Sequence, residues 1–193
     1  AKTLYGELPG TSLIDWPFTV ADIEPYYELA EAQMGVTRTN GLPGLPANNN
    51  FKVMYAGAKA LGLNVSTGRH AINSIPYDGR PATIQDGFTI TGDKTGSRWS
   101  TLNVEIPRAL ATGKLELRPQ SRVTFVEHDA AGKASAVVYV DAAGVTHRQK
   151  ARAVVVAGNC VESSRLLLHS KSARFPDGLA NGWGHVGRHY LRH

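Results

Sequence analysis

Residues Ala151 to Ser170, A-R-A-V-V-V-A-G-N-C-V-E-S-S-R-L-L-L-H-S, read as a buried strand running through a tight turn into a helix. Val154, Val155 and Val156 are consecutive β-branched apolar residues, the pattern of a strand covered on both faces. Ala157 and Gly158 carry no bulk beyond Cβ, so the main chain there can approach a second molecule closely. Ser163 and Ser164 are placed to cap a helix whose apolar stripe is Leu166, Leu167 and Leu168. A small-residue turn at the carboxyl end of an α/β strand is where such folds bind cofactors. The same turn type also serves as plain strand-to-helix punctuation, and the local pattern leaves both readings open.

Outward from this turn, composition bounds the answer. The chain has 193 residues, enough for one large domain or two small ones, and 42% of them are apolar, enough for a core. Charged residues make up only 19%, which argues against a disordered tail. The net charge is +5, but Lys and Arg are scattered rather than gathered into a stripe with interleaved aromatics, so nucleic acid is not an expected partner. Cys160 is the only cysteine, which excludes an intrachain disulfide and a Cys-rich metal site and leaves the compartment unspecified. No apolar run approaches the ~20 residues that span a bilayer. The chain begins at Ala1 and stops at His193 without an end-of-domain signal, and reads as a piece of a longer or a processed polypeptide.

Upstream, Thr19 and Asp22 have capping-box spacing, and Pro25 suits the first position of a second helix that carries Tyr26, Tyr27, Ala30 and Met34 and ends at Gly35. A Pro-, Gly- and Asn-rich linker runs from Thr37 to Asn50. An amphipathic helix from Phe51 to Leu61 stops at Gly62. Residues 64–98 read as a long irregular segment, more often functional than idle in a compact domain. Ser100 or Thr101 starts a helix through Leu110 closed by Gly113, with Pro107 predicting a kink or a late start. Short strands are expected at Leu115–Arg118 and Arg122–Glu127, a hairpin at Ser135–Asp141 and Thr146–Lys150 around Ala142-Ala143-Gly144, and loop from Phe175 to His193.

Four blocks stand in a telling order. D-W-P-F-T-V-A-D-I-E-P-Y-Y-E-L-A-E-A-Q-M-G-V (Asp15 to Val36) resembles the start of the substrate domain of glucose–methanol–choline (GMC) flavoprotein oxidoreductases. Gly96 to Glu127 is similar to their middle segment, the Val-rich turn to their second signature region, and Phe175 to His193 to the loop after it. The flavour is that of bacterial sugar and polyol dehydrogenases. The resemblance implies a mixed α/β (α+β) fold: part of a GMC-type FAD-binding domain plus part of a substrate-binding domain. Residues 1–95 would hold the first helices of the substrate domain and a cofactor-facing loop, and residues 96–193 the strands and helices of the FAD domain. It implies FAD as cofactor, an alcohol or sugar as substrate, and hydride transfer from a CH–OH group. Main chain near Val123 would meet the adenine. Ala157 and Gly158 would pack against FAD, with Glu162 and Ser163 following in the signature. Ser100 and Thr101 would lie on the flavin-facing segment.

Two parts of the family pattern are missing. There is no G-x-G-x-x-G turn for the pyrophosphate, and no portion carrying the catalytic His with its His or Asn partner. No catalytic residue is therefore assigned, and the chain is expected to need the remaining segments or subunits of the enzyme as partners. The alternative is a non-catalytic module that binds a ligand or partner without redox chemistry. Thr83, Asp86, Thr89 and Asp93 stand where several relatives carry cysteines; as hard oxygen groups they predict no iron–sulfur cluster.

The remaining candidates have simpler readings. Gly87 to Thr95 only superficially matches a phosphate loop, because Asp93 would repel phosphate. His185, His189 and His193 are interrupted by Gly184 and Gly187 and read as solvated, so no metal is expected. Cys160 reads as small buried packing, and Trp16, Tyr26 and Tyr27 as core or interdomain packing ahead of a sugar-stacking role.

Overall fold

The computed structural model describes residues 2–11, 14–85, 89 and 91–191. The chain forms two compact units, Ala1–Leu115 and Glu116–His193. The partition expected at 95/96 concerned which segment serves substrate and which serves cofactor.

The first unit holds α1 (Lys2–Tyr5), α2 (Val20–Met34), α3 (Asn49–Ala60) and α4 (Glu105–Ala111). Thr19 and Asp22 close the expected capping box: the Asp22 N–H donates to Thr19 Oγ1 at 3.3 Å and the Thr19 N–H to Asp22 Oδ2 at 2.7 Å. Pro25 does not begin a second helix; it lies inside a continuous α2. One turn preset by the box carries the helix through a residue that has no N–H to give to the Ala21 carbonyl. Gly35 ends the helix in the left-handed conformation, φ 68° and ψ 49°. Asn48 caps α3, its Oδ1 accepting from the Phe51 N–H at 2.8 Å. The helix expected from Ser100 or Thr101 begins only at Glu105. Pro107 is then its third residue, where a missing N–H costs nothing, because first-turn donors have no helical partner.

None of α2, α3 and α4 buries a residue completely. A polar knot holds the centre of the first unit instead. Thr37, Asn73 and Ser97 are fully buried and Arg80 nearly so, beside Val36, Leu42 and Val104. Asp78 and Gly79 both have positive φ, and Tyr77 and Arg80 exchange N–H···O bonds of 3.0 Å across this two-residue turn. The turn presents Tyr77 and Arg80 to the end of α2. Tyr77 Oη donates to the Ala32 carbonyl at 2.8 Å, and Arg80 Nη2 to that of Met34 at 2.9 Å. A cation at the negative end of a helix is favourable, although burial pushes the Arg80 guanidinium below its ordinary pKa. Asn73 Nδ2 donates to the carbonyls of Tyr77 and Arg80, and Arg80 Nη1 to that of Ser97 at 3.2 Å.

The second unit is an antiparallel meander of β1 (Arg122–His128), β2 (Ala134–Val140) and β3 (Thr146–Lys150), followed by α5 (Asn159–His169). In register, Val123 lies opposite Tyr139, Val126 opposite Val137, and Tyr139 opposite His147. The expected hairpin forms, closed by Asp141, whose carboxylate accepts from the Ala143 and Val145 N–H groups at 2.9 Å. Val126 and Ala136 are its buried apolar centre. Ser170, buried at the end of α5, ties helix to sheet: Oγ donates to the Leu166 carbonyl at 2.7 Å and accepts from the Val126 N–H at 3.0 Å.

Two expected strands do not form. Leu115–Arg118 pairs with no strand among the described residues; side-chain bonds from Arg118 to Glu116, Tyr139 and Gln149 fix it instead. Val154–Val156 is likewise unpaired, and Val155 is 89% exposed. β-branched residues favour extended chain, but a strand needs a neighbour to take its N–H and C=O groups, and the meander ends at β3.

Candidate functional site

The turn singled out in the sequence leads directly into α5. The helix starts at Asn159, earlier than expected, and Ser163 and Ser164 lie inside it. Asn159 makes the start possible. It takes φ 64°, and its Oδ1 accepts from the N–H groups of Val161 (2.9 Å) and Glu162 (3.1 Å). Ser163 Oγ reaches back to accept from the Gly158 N–H at 3.1 Å. Glu162 pairs with Arg165 at 2.8 Å. Gly158, Glu162 and Ser163 therefore form one cluster, with exposed Ala157 beside it.

Gly158 is not glycine for the sake of the chain. Its φ of −88° suits any residue. A Cβ there would come no nearer than 3.5 Å to Glu162 Cβ and 3.8 Å to Ser163 N, ordinary contacts. What the glycine leaves is a patch of bare main chain on the open side of the turn. Beside it, the first two N–H groups of α5, from Asn159 and Cys160, make no hydrogen bond among the described residues. Unpartnered donors at the positive end of a helix suit an anionic or polar ligand. The residues of this turn thus fit a phosphorylated dinucleotide lying against the main chain.

Val123 belongs to a different place. On β1 it borders a cavity of about 390 Å³ with Val137, Tyr139, Arg118 and Gln149. Tyr139 stacks on His147 with ring centroids 5.1 Å apart, and the Arg118 guanidinium lies 5.7 Å from the tyrosine centroid. Hydrogen bonding from Arg118 and its charge hold Glu116 below the usual carboxylate range. Apolar strand and flat stacked groups suit a planar ring. Ser100 and Thr101 lie in the first unit on the turn before α4. The Ser100 carbonyl accepts from the N–H groups of Asn103 (3.1 Å) and Val104 (3.0 Å), and that of Thr101 from Ile106 (2.9 Å).

Several side chains differ from expectation. Cys160 is exposed: it sits on the first turn of α5, where residues 159–162 are all exposed. Tyr26 and Tyr27, on α2, are 72% and 60% exposed, and Trp16, in the segment before α2, is 76% exposed and stacks on Phe18 with ring centroids 5.6 Å apart. The sequence reading missed a cleft of about 860 Å³ between α5 and residues 187–191, lined by Cys160, Ser164, Leu168, Arg188 and His189. Its signal was Gly187: φ is 79°, a conformation glycine favours, and a Cβ would stand 3.3 Å from Leu168 Cδ1, where the tail lies close against the helix. The phosphate-loop reading begins at Gly87, and both it and the third histidine of the His185 series fall outside the described residues. Among the described residues no group of three metal-ligating side chains converges, and no helix is long and apolar enough to cross a membrane.

Comparison with known proteins agrees with the order of blocks. The family model of the GMC oxidoreductases matches residues 15–193. The chain belongs to the GMC oxidoreductase family. Its relatives include 6'''-hydroxyparomomycin C oxidase of Streptomyces lividus, 33% identical over 95% of this chain and 36% of that protein. A second is 2-methyl-1,2-propanediol dehydrogenase of Mycolicibacterium austroafricanum, 34% identical over 96% of the chain and 35% of the relative. A third is the fructose dehydrogenase large subunit of Gluconobacter japonicus, 30% identical over 93% and 35%. The chain thus spans about a third of the length of these GMC relatives.

Proposed function

We propose that this chain is the part of a flavin-dependent GMC oxidoreductase that builds a portion of the FAD-binding wall and a portion of the substrate-domain wall. The reaction is oxidation of a CH–OH group of a sugar, polyol or other alcohol. The observation that carries the reading is the family match across residues 15–193, joined to the open turn at Ala157–Gly158 that the fold itself does not require. Relatives named for the oxidation or dehydrogenation of 6'''-hydroxyparomomycin C, 2-methyl-1,2-propanediol and fructose support the substrate class.

When bound, FAD supplies the hydride acceptor, and the protein supplies binding, orientation and exclusion of water. Gly158 and Ala157 would hold it through bare main chain. The Asn159 and Cys160 N–H groups would donate to its polar atoms, and Glu162 and Ser163 keep that turn in shape. Val123 would offer its strand backbone to the adenine, and Ser100 and Thr101 would face the flavin side. The proton acceptor for the substrate hydroxyl is not assigned within residues 1–193. The segments that complete the relatives' length are the partners this reading calls for.

The test is purification of the full-length gene product that carries this chain. A yellow protein that releases FAD on denaturation, and is bleached anaerobically by fructose, 2-methyl-1,2-propanediol or a related alcohol, is the expected result. A colourless protein that releases no flavin defeats the reading and favours the non-catalytic alternative.

A further inference from the structure

We infer that Asp93 is a positioning residue that sets the flavin-facing main chain at Ser100–Thr101; the inference rests on the reading of that segment given above. Its carboxylate gathers the residues that follow it. Oδ1 accepts from Thr95 Oγ1 at 2.9 Å and from the Thr95 N–H at 3.2 Å. Oδ2 accepts from Ser97 Oγ at 2.9 Å and from the Arg98 N–H. The Asp93 carbonyl also accepts from the Gly96 N–H at 3.3 Å, so the loop is closed by main chain as well as side chain. Burial works against the charge, and the bonds from Arg98, Ser97 and Thr95 together outweigh it, holding the carboxyl below its ordinary pKa.

The loop closed in this way ends on the polar knot. Ser97 is fully buried, and its carbonyl accepts from Arg80 Nη1 at 3.2 Å and from the Asn73 N–H at 3.0 Å. Arg98 pairs with Ile72, and the Trp99 N–H donates to the Ala71 carbonyl at 2.8 Å. Asn103 then returns: its Nδ2 donates to the Arg98 carbonyl and its N–H to Ser100 Oγ, both at 3.2 Å. Ser100 and Thr101 are thus suspended between an anchored Ser97–Trp99 and the start of α4. Two carboxylates hold that anchor: Glu105 Oε1 accepts from the Trp99 indole N–H at 3.3 Å, and Asp93 takes the Ser97 hydroxyl and the Arg98 N–H. Charge-assisted bonds are the stronger kind, and an unpaired Ser97 hydroxyl left inside would add a desolvation cost.

The test uses the full-length protein with Asp93→Ala and Asp93→Asn. Two signals are read: amide exchange of residues 96–101, and the visible circular dichroism of bound flavin, which reports the surroundings of the ring. Expected for Asp93→Ala are exchange faster by about tenfold or more at 96–101, unchanged exchange in β1 and α5, near-normal FAD content and an altered flavin dichroism. Where an alcohol reduces the wild-type flavin, that rate falls about 10- to 100-fold, the scale of a small misplacement. Asp93→Asn, which keeps one accepting oxygen, lies between. If Asp93→Ala does not fold, Asp93→Asn and Ser97→Ala carry the same readouts. Faster exchange with an unchanged flavin signal makes Asp93 a loop anchor only and overturns the inference. Unchanged exchange does so too. A wild-type protein without flavin defeats the underlying reading and this inference with it, whereas a flavin-bound wild type with an indifferent variant defeats the inference alone.

Discussion

Gly178→Ala is expected to destabilise the second unit by about 4 kcal/mol, strain and overlap together, a large share of what holds a small domain. Gly178 has φ 97°, which a Cβ disfavours. A Cβ there would stand 2.6 Å from the Leu167 carbonyl oxygen and 2.7 Å from Leu168 Cα, both main chain that cannot rotate away. The Leu167 carbonyl is meanwhile engaged by the Leu179 N–H at 2.9 Å, so relief by shifting the tail breaks a cap of α5. Gly35→Ala is the counterpart in the first unit, at about 3 kcal/mol. At φ 68° its Cβ would meet Tyr77 Cδ1 at 2.8 Å, Arg80 Nη2 at 2.9 Å and Asn73 Oδ1 at 3.0 Å. These are side-chain atoms, but they are held by the hydrogen bonds that cap α2. Urea unfolding followed by amide exchange, resolved to each unit, checks both. A loss under 1 kcal/mol for either would mean that the close approach is relaxed at little cost.

The parts of the fold that were legible from sequence are those decided within a few residues. The β2–β3 hairpin follows from Ala142-Ala143-Gly144, where Gly144 takes φ 81° and its N–H closes on the Asp141 carbonyl at 3.1 Å. The ends of α2 follow from the Thr19–Asp22 box and Gly35, whereas α3, expected from Phe51, starts two residues earlier at Asn49 because Asn48, placed in the linker, caps it. The polar knot was illegible because Arg80 meets Ser97 and Met34 across 17 and 46 residues of chain, and no local pattern announces an arginine that bonds carbonyls rather than a carboxylate. The Val154–Val156 run shows the reverse case: local propensity pointed to a strand, but pairing is a property of neighbours. The same distinction divides the candidate site. Gly158, Glu162 and Ser163 were readable together because one helical turn joins them, whereas Val123 borders its own cavity and Ser100 and Thr101 belong to the first unit.

Gly158→Leu is expected to separate function from fold. It should lower FAD affinity by more than about 100-fold, the scale of a bulky side chain forced into a close main-chain contact. It should leave the unfolding midpoint nearly where it was. The second half follows from geometry already present in the chain: φ is −88°, and the nearest atoms to a Cβ are 3.5 Å and 3.8 Å away. Leucine is a poorer N-cap than glycine, but it has less backbone freedom to lose on folding, and the two effects oppose each other. Unlike Gly178 and Gly35, then, Gly158 answers to nothing inside the polypeptide, and its bare surface has meaning only if something else rests on it. Titration of the flavin-stripped full-length variant with FAD, followed by flavin fluorescence, reads the affinity, and thermal unfolding reads the fold. Wild-type affinity in Gly158→Leu would remove the turn from the FAD wall while leaving membership of the GMC family untouched. Loss of both affinity and folding would show that the surrounding chain, and not a bound dinucleotide, is what excludes a side chain at this position.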